Sequence, residues 1–309
     1  MSLHKQLYVQ TPLIEETRPV FPRKQISYKM EAFQPSGSFK LRGIELACRR
    51  ALDKGAKKLL SSSGGNAGLA VAYVGSQWSV PVTVVLPEST PSSVADELKR
   101  LGSKVIIHGR AWDESNAYCL NLLKEDNRWA YIPPFDHPDL WEGHGSMVDE
   151  LKEQCRSQPD CIILSVGGGG LMNGVVEGLK RNGWTDTAIL AVETVGADSL
   201  YQSVQAGHIV TLDDITSVAK SLGAKRVADK TFENVQNYRI LPHLVADREA
   251  EQACVRFADE HRVLVEPACG ASLSPVYAKD PILEPYKNIV VIVCGGSKVD
   301  LAALDAWRN

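Results

Sequence analysis

The stretch Cys161-Ile162-Ile163-Leu164-Ser165-Val166-Gly167-Gly168-Gly169-Gly170 decides the class of fold. Its first residues form an apolar run, as in a buried strand, and the glycines end that run. A segment of helical length, 171–182, comes next. A buried strand that passes through glycines into a helix is the repeating unit of parallel α/β proteins.

The same alternation of apolar runs and amphipathic segments continues along the chain. Predicted strands are 26–30, 58–61, 82–86, 104–108, 161–165, 188–193 and 289–294, and predicted helices are 43–54, 67–77, 92–101, 111–125, 142–154 and 171–182. We therefore expect an α/β fold of two domains, each with an open, mostly parallel twisted sheet flanked by helices. The proline-rich loop 133–138 is the best candidate for a domain crossing. It predicts a large domain of residues 1–43 and 134–309 and a smaller inserted domain of residues 44–133.

Composition excludes several classes of partner. The 309 residues are 44% hydrophobic and 23% charged, with a net charge of −3 and a pI near 6.2. This charge gives no reason to expect nucleic acid or an anionic membrane as a partner. The N-terminus lacks the apolar core of a signal peptide, and no apolar run approaches the roughly 18 residues that span a bilayer. The seven cysteines are scattered without a CxxC pair. We expect reduced thiols in a cytoplasmic protein, with neither disulfides nor a zinc site.

The four glycines at 167–170 also suggest a ligand. Backbone N–H groups at a strand-to-helix turn point at an anion, and the lack of side chains allows a phosphate to come close. The spacing is not that of a dinucleotide loop, because Met172 stands where the third glycine would be. No Gly-Lys-Ser/Thr follows, which excludes a Walker loop. A single phosphate is the best interpretation, and a tight turn between strand and helix is the alternative.

The loop Ser62-Ser63-Gly64-Gly65-Asn66 precedes another predicted helix. Its hydroxyls, backbone amides and Asn side chain suit a carboxylate. The alternative is an ordinary helix start with Asn66 near the cap.

A third stretch, Gln34-Pro35-Ser36-Gly37-Ser38-Phe39-Lys40-Leu41-Arg42-Gly43, places one lysine in a turn beside an aromatic ring. Partial desolvation there would lower the pKa of the Lys40 amine and make it a nucleophile toward a carbonyl. Taken alone, this motif favours the alternative that Lys40 is a surface lysine near a helix start. A nucleophilic lysine, a phosphate site and a carboxylate site together are what is needed to hold pyridoxal phosphate and an amino acid.

Eight stretches in order resemble a known family nearly end to end. They are Pro35–Gly43, Ser63–Gly68, Pro133–Asp136 with Trp141–His144, Gly167–Leu171, Thr216–Gly223 with Val265–Ala271, and Val291–Ser297. These motifs resemble the fold-type II pyridoxal-phosphate enzymes, which share the fold of the tryptophan synthase β-subunit. Within that group they are most similar to the short, liver-type L-serine dehydratase / L-threonine deaminase family, in its glycine-loop variant.

The resemblance implies a role for each matching residue. Lys40 would carry the cofactor aldehyde and take the α-proton of the substrate as general base. Phe39 would pack on the pyridine ring, Asn66 would bond its 3-oxygen, and Cys294 would face its nitrogen. The residues implied for the phosphate are Gly167, Gly168, Gly169, Gly170 and Leu171, and those implied for the substrate carboxylate are Ser63, Gly64, Asn66 and Ala67. A small hydrophobic role at a strand end is the alternative for Cys294.

The implied reaction is the α,β-elimination of L-serine to pyruvate and ammonia, and of L-threonine to 2-oxobutanoate and ammonia. We expect the cofactor phosphate to protonate the leaving hydroxyl. A thiol cannot hold the pyridine nitrogen protonated as an aspartate would, which favours elimination over racemisation or transamination.

The resemblance further implies a monovalent cation, for which we expect K⁺, and a homodimer. The matching cation positions are Gly167, Glu193, Ala197, Ser199, Leu222 and Ala224. A solvated or salt-bridged Glu193 is the alternative. Because the chain stops at Asn309, we expect no C-terminal amino-acid-sensing domain and hence a catabolic, unregulated enzyme.

Three further interpretations stay open. A β-replacement enzyme is the first, although Leu41 stands where such enzymes have an acidic residue. The second is a catalytically weak amino-acid sensor, because Gly64 replaces the alanine of many family members. We expect Gly64→Ala to raise turnover with serine. The third is a metal site at His137 and His144, whose spacing matches no common metal motif.

Overall fold

The computed structural model describes residues 5–18, 20–88, 90, 92–110 and 112–308. These residues separate into two compact units. The first unit contains residues 5–9 and Gln34–Gly143, and the second contains Gln10–Phe33 and residues 144–308. The turn before Lys40 thus belongs to the first unit, whereas the predicted domain boundaries assign it to the large domain.

The elements are numbered in chain order. The strands are β1 Leu13–Glu15, β2 Gln25–Lys29, β3 Lys58–Ser61, β4 Val82–Leu86, β5 Lys104–Ile107, β6 Trp129–Tyr131, β7 Cys161–Ser165, β8 Ala188–Thr194, β9 Ile240–Val245 and β10 Asn288–Ile292. The helices are α1 Lys40–Asp53, α2 Asn66–Trp78, α3 Ser92–Arg100, α4 Trp112–Glu125, α5 Pro138–Gln154, α6 Gly170–Arg181, α7 Ser199–Ala206, α8 Asp229–Asn237, α9 Asp247–His261, α10 Pro267–Ala278 and α11 Leu301–Arg308.

The first unit is built on a parallel sheet with the strand order β5-β4-β3-β6. On α1, Leu41, Ile44 and Cys48 follow one another at helical spacing and are fully buried. They share a core with apolar residues of α2 and β4, such as Val74 and Val84. This core fixes the start of α1 and the start of α2.

The second unit is built on a sheet with the strand order β1-β2-β10-β7-β8-β9. Only β1, an edge strand, pairs antiparallel among the described strands, and β2, β10, β7, β8 and β9 are parallel. Every residue of β7 and β8 is buried, as expected for strands covered on both faces. Because β10, β7 and β8 are parallel neighbours, the loops that follow them lie at one edge of the sheet.

The predicted fold class is confirmed. The strands 58–61, 82–86 and 161–165 have the predicted bounds, and the strand predicted at 289–294 is Asn288–Ile292. The first helix was predicted from residue 43 but begins at Lys40. Leu41 N donates to Ser38 O and Arg42 N to Phe39 O, so the Ser/Gly turn runs directly into the helix. Among the described residues, no helix is both long and apolar enough to cross a bilayer.

Candidate active site

Lys40 is the first residue of α1 in the first unit. Gly37 turns the chain before it with a φ of +78°, and its N–H donates to Gln34 O at 2.7 Å. The Lys40 ammonium donates to the carbonyl oxygen of Pro134 at 2.6 Å. Its Nζ also lies 5.1 Å from the centroid of the Phe39 ring. A carbonyl and an aromatic ring thus hold this amine, which is only partly exposed.

Two serine hydroxyls lie in the turn that precedes Lys40. The Oγ atoms of Ser36 and Ser38 are buried and have no hydrogen-bond partner among the described residues. A buried hydroxyl without a partner is costly in a folded protein, and such groups are found where a polar ligand binds.

The second predicted loop joins β3 to α2 in the first unit. Asn66 is the first residue of α2 and is 8% exposed, and the N-cap residue is Gly65, which has no side chain to cap the helix. Asn66 therefore lies next to the N-cap position but does not itself cap the helix. Ser63 Oγ accepts from Gly65 N at 3.3 Å. In contrast, the Ser62 hydroxyl is turned away, toward Asn116 at 3.1 Å and Tyr131.

The glycine loop Gly167–Gly170 follows β7 in the second unit and leads into α6. Gly169 has a φ of +93°, and a Cβ atom there would lie 1.9 Å from Thr231 Oγ1. A Cβ atom on Gly167 would lie 3.0 Å from Leu222 Cα. Glycine is therefore required at Gly169 by the backbone conformation and by close packing, and at Gly167 the backbone of Leu222 leaves little room for a side chain.

Cys294 lies two residues beyond β10, at the same edge of the sheet. Its thiol is 6% exposed, and its Sγ is 3.7 Å from the Oγ of Ser165, the last residue of β7. A hydrogen bond with Cys269, together with burial, raises the pKa of the Cys294 thiol well above its ordinary value. The thiol is therefore neutral at physiological pH.

Glu193 lies in β8 and is fully buried. Its carboxylate accepts from Leu200 N at 2.9 Å and from Tyr201 N at 2.7 Å, in the first turn of α7. Burial raises the pKa of Glu193 to about 8, against the effect of these two bonds. No cationic side chain pairs with it among the described residues. The alternative of a solvated or salt-bridged Glu193 is therefore wrong.

The structure brings several of the other predicted cation positions close to the end of β8, where Glu193 lies. Ala197 N donates to Thr194 O at 2.9 Å, just after Glu193, and Ser199 begins α7. Gly167 packs against Leu222, and Ala224 N donates to Leu222 O at 2.8 Å. By contrast, His137 is exposed and its Nδ1 accepts from Asp139 N at the start of α5.

The model of one protein family matches residues 4–295, nearly the whole chain, and its description is "Pyridoxal-phosphate dependent enzyme". The chain belongs to this family of pyridoxal-phosphate dependent enzymes. The predicted family is thereby confirmed.

Relatives within this family match the chain along its full length. The L-serine dehydratase/L-threonine deaminase of Mus musculus is 42% identical, over 100% of this chain and 97% of its own. The serine dehydratase-like protein of Homo sapiens is 45% identical, over 98% of this chain and 94% of its own. The crystal structure of an L-serine ammonia-lyase from the fungus Rhizomucor miehei superposes with a TM-score of 0.92 at 36% identity, covering 98% of this chain and 99% of that one.

The residues present fit pyridoxal phosphate, each unit taken by itself. In the first unit, unpartnered buried hydroxyls precede a lysine whose amine is held at the start of α1. In the second unit, a loop without side chains precedes the positive end of α6, as a phosphate requires. The neutral Cys294 thiol can donate a hydrogen bond to a pyridine nitrogen without placing a negative charge beside it.

Sequence reasoning missed three features of the candidate site. Pro134 was assigned to a domain crossing and to a family motif but to no role in the site, yet its carbonyl accepts from Lys40. The side chains of Leu86 and Thr90 fill the space beside Gly64. Thr231 packs on the glycine loop and is 63 residues from Gly168 in the chain, a separation at which no local pattern gives a signal.

Proposed function

We propose that this protein converts L-serine to pyruvate and ammonia, and L-threonine to 2-oxobutanoate and ammonia. Water leaves in an α,β-elimination, and one water is taken up again when the resulting enamine, as its imine, is hydrolysed to the 2-oxo acid and ammonia. The observation that carries the proposal is the identity of more than 40% with relatives named as serine dehydratases, sustained over the whole chain. The products follow from the loss of a β-hydroxyl and an α-proton. Pyridoxal phosphate, when bound, supplies the electron sink that makes the α-proton acidic.

Lys40 is the residue that we assign to proton transfer. Its Nζ would attach the cofactor before the substrate arrives and, once released, would take the α-proton as general base. The Lys40 Nζ donates to Pro134 O, and this contact supports an amine held in one place at the start of α1. Phe39, whose ring lies beside the amine, would pack on the pyridine ring.

Different kinds of group would hold the phosphate, the 3-oxygen and the pyridine nitrogen of the cofactor. The N–H groups of Gly167–Gly170 and Leu171 would bind the phosphate, helped by the helix dipole of α6. Asn66 would bond the 3-oxygen. Cys294 would face the pyridine nitrogen as a neutral thiol, and such a group would not stabilise the protonated form of that nitrogen. We infer that this weakens racemisation and transamination relative to elimination.

The loop before α2 would bind the carboxylate of the amino acid. Ser63, Gly64, Asn66 and Ala67 lie where α2 begins, so that backbone N–H groups and the positive helix end favour an anion. The Ser63 hydroxyl accepts from Gly65 N and so keeps its own proton available for a ligand.

A monovalent cation, K⁺, would bind beside Glu193. Its ligands would be oxygens of Gly167, Glu193, Ala197, Ser199, Leu222 and Ala224, as a hard cation prefers. The buried carboxylate of Glu193 supports this proposal, because it has no cationic partner among the described residues and would gain one. The cation would brace the second-unit loops that follow β7 and β8.

Two simpler properties complete the proposal. We propose a homodimer in the cytoplasm, with small amino acids rather than nucleic acid or membranes as partners. Light scattering on the purified protein tests the dimer, and a mass of one chain would contradict it.

The function is tested by incubating the purified protein and pyridoxal phosphate with L-serine or L-threonine. We expect pyruvate or 2-oxobutanoate and an equal amount of ammonia. A cofactor-loaded protein that binds amino acids but releases no 2-oxo acid would favour the sensor interpretation. Formation of an S-substituted cysteine from serine and an added thiol, without release of a 2-oxo acid or ammonia, would favour β-replacement. A protein that binds no pyridoxal phosphate would contradict the whole proposal.

A further inference from the structure

A chain of buried hydrogen bonds runs from α8 to the glycine loop of the second unit. Asn234 Nδ2 donates to Asn173 Oδ1 at 3.0 Å, and Asn173 Nδ2 donates to Thr231 Oγ1 at 3.1 Å. Thr231 Oγ1 in turn donates to the carbonyl oxygen of Gly168 at 3.1 Å. All three side chains are at most 1% exposed. Each donor in this chain points toward the loop.

The direction of these bonds fixes the proton of the Thr231 hydroxyl. Because Asn173 already donates to Oγ1, the hydroxyl proton is directed at Gly168 O. The same carbonyl accepts from Ala228 N at 3.0 Å, so both of its lone pairs are engaged. The Gly168 carbonyl is therefore held toward α8.

A held carbonyl determines where the next N–H points. The Gly168–Gly169 peptide is trans and planar, so that its C=O and its N–H point in opposite directions. The Gly169 N–H is thus directed away from α8. Gly169, with φ +93° and ψ 0°, follows this peptide and begins the turn into α6. A left-handed glycine next to a helix start forms a concave set of N–H donors that binds anions.

We propose that Thr231 is a positioning residue for the phosphate of the cofactor, acting through the Gly168–Gly169 peptide. This inference rests on the proposed function, since it assumes that the glycine loop binds the phosphate. Thr231 would not bond the phosphate itself, because its hydroxyl proton is directed at Gly168 O. Its hydroxyl, oriented by Asn173, keeps one backbone donor aimed at the anion.

The test compares pyridoxal phosphate with pyridoxal, which lacks the phosphate, in binding to the apoprotein. Thr231→Ser keeps the hydroxyl and Thr231→Ala removes it, and neither retains the methyl group. We expect the dissociation constant for pyridoxal phosphate to be about tenfold higher in Thr231→Ala than in Thr231→Ser, the effect of one buried hydrogen bond. The dissociation constant for pyridoxal should differ by less than about twofold between the two variants.

Thr187 provides a matched control in the same unit. This buried threonine also donates to a backbone carbonyl, Pro159 O at 2.9 Å, and accepts from an amide, Gln158 Nε2 at 3.0 Å. Thr187→Ala should lower the melting temperature of the apoprotein without changing the ratio of the two dissociation constants. If Thr231→Ala does not fold, Asn173→Ala can replace it, because it removes the group that orients the Thr231 hydroxyl. It should raise the dissociation constant for pyridoxal phosphate relative to that for pyridoxal by a smaller factor.

If Thr231→Ala binds both pyridoxal phosphate and pyridoxal more weakly by the same factor, or binds neither more weakly, the inference is overturned while the proposed function is left intact. Failure of the unmodified protein to bind pyridoxal phosphate would instead refute the proposed function.

Discussion

Gly64 lies directly against Leu86, because a Cβ atom built on Gly64 would be 3.0 Å from Leu86 Cδ2. The same atom would be 3.2 Å from Thr90 Cγ2. Side chains of the first unit thus occupy the space that an alanine methyl would need in the loop proposed to bind the substrate carboxylate. Residue 64 is coupled to residues that the motif itself does not contain.

Gly64→Ala should raise turnover with serine, because a methyl group and a less flexible backbone hold the carboxylate loop in place. The same change should lower the free energy of unfolding by on the order of 1 kcal/mol, since Leu86 and Thr90 must shift. Adding Thr90→Ser, which removes the Cγ2 methyl, should recover part of that stability, because the contact with Leu86 remains. Steady-state kinetics and urea unfolding measure the two effects. A loss of turnover in Gly64→Ala, or no recovery in the double variant, would contradict the coupling.

Cys294 should control the choice between elimination and exchange of the α-proton. Cys294→Ser keeps a neutral group and should retain pyruvate release. Cys294→Asp should raise the ratio of solvent deuterium exchange at Cα to pyruvate release by on the order of tenfold, because an anion favours a protonated pyridine nitrogen. Mass spectrometry of recovered serine gives the exchange. Cys155→Ser, at a half-buried cysteine, is the control. An unchanged ratio in Cys294→Asp would argue that the thiol only fills space.

Glu193→Gln should abolish the response of the enzyme to K⁺. The amide keeps the shape of the side chain, but it removes the charge proposed to balance the cation. We expect the unmodified protein to be several-fold more active in K⁺ than in tetramethylammonium at equal ionic strength. The variant should show the same low activity in both salts. Equal K⁺ activation of variant and unmodified protein would place the cation elsewhere.

Buried thiols should make the protein less stable at alkaline pH. Burial raises the pKa of Cys161 and of Cys119 to about 12, and it also raises the pKa of Cys48 and Cys254. In an unfolded chain a thiol has a pKa of about 8.5. Below that pH both states keep the proton. Above it only the unfolded chain releases its protons, so the free energy of unfolding falls as pH rises.

The fall should approach about 1.4 kcal/mol per thiol for each full pH unit above the unfolded pKa. Urea unfolding at pH 7.5 and pH 9.5 in the presence of a reductant measures it. Cys48→Ala should make the dependence on pH shallower. Stability that is constant or rises over this range would contradict the assignment of these thiols as neutral.

The fold class was predictable because the strands of the two sheets are short apolar runs bounded by glycine, proline or polar residues. The strand 161–165 and its glycine loop illustrate this, since every residue of that strand is buried. The start of α1 was not predictable from local pattern. Phe39 is an unusual N-cap without a side-chain cap bond, and the turn before it continues into the helix through backbone bonds.

Only those parts of the candidate site that consist of contiguous residues could be predicted from the sequence. Lys40, the Ser63–Ala67 loop and the glycine loop are local motifs, so their chemistry can be read directly. The contacts of Lys40 with Pro134, of Gly64 with Thr90 and of Gly168 with Thr231 join residues distant in the chain. Such contacts depend on how the sheet and helices pack, and the pattern of one sequence does not specify them.

Attachment of the cofactor to Lys40 can be tested by reducing the holoenzyme with borohydride. Reduction fixes the pyridoxyl group on the lysine that holds it, and peptide mass spectrometry then locates the modified residue. We expect a single phosphopyridoxyl group on Lys40, and none on Lys54, which lies at the other end of α1. In Lys40→Ala the label should be absent and 2-oxo acid release should fall by roughly 10²–10⁴-fold or more, as for loss of a general base. A phosphopyridoxyl group on a different lysine, or an active Lys40→Ala enzyme, would contradict the account.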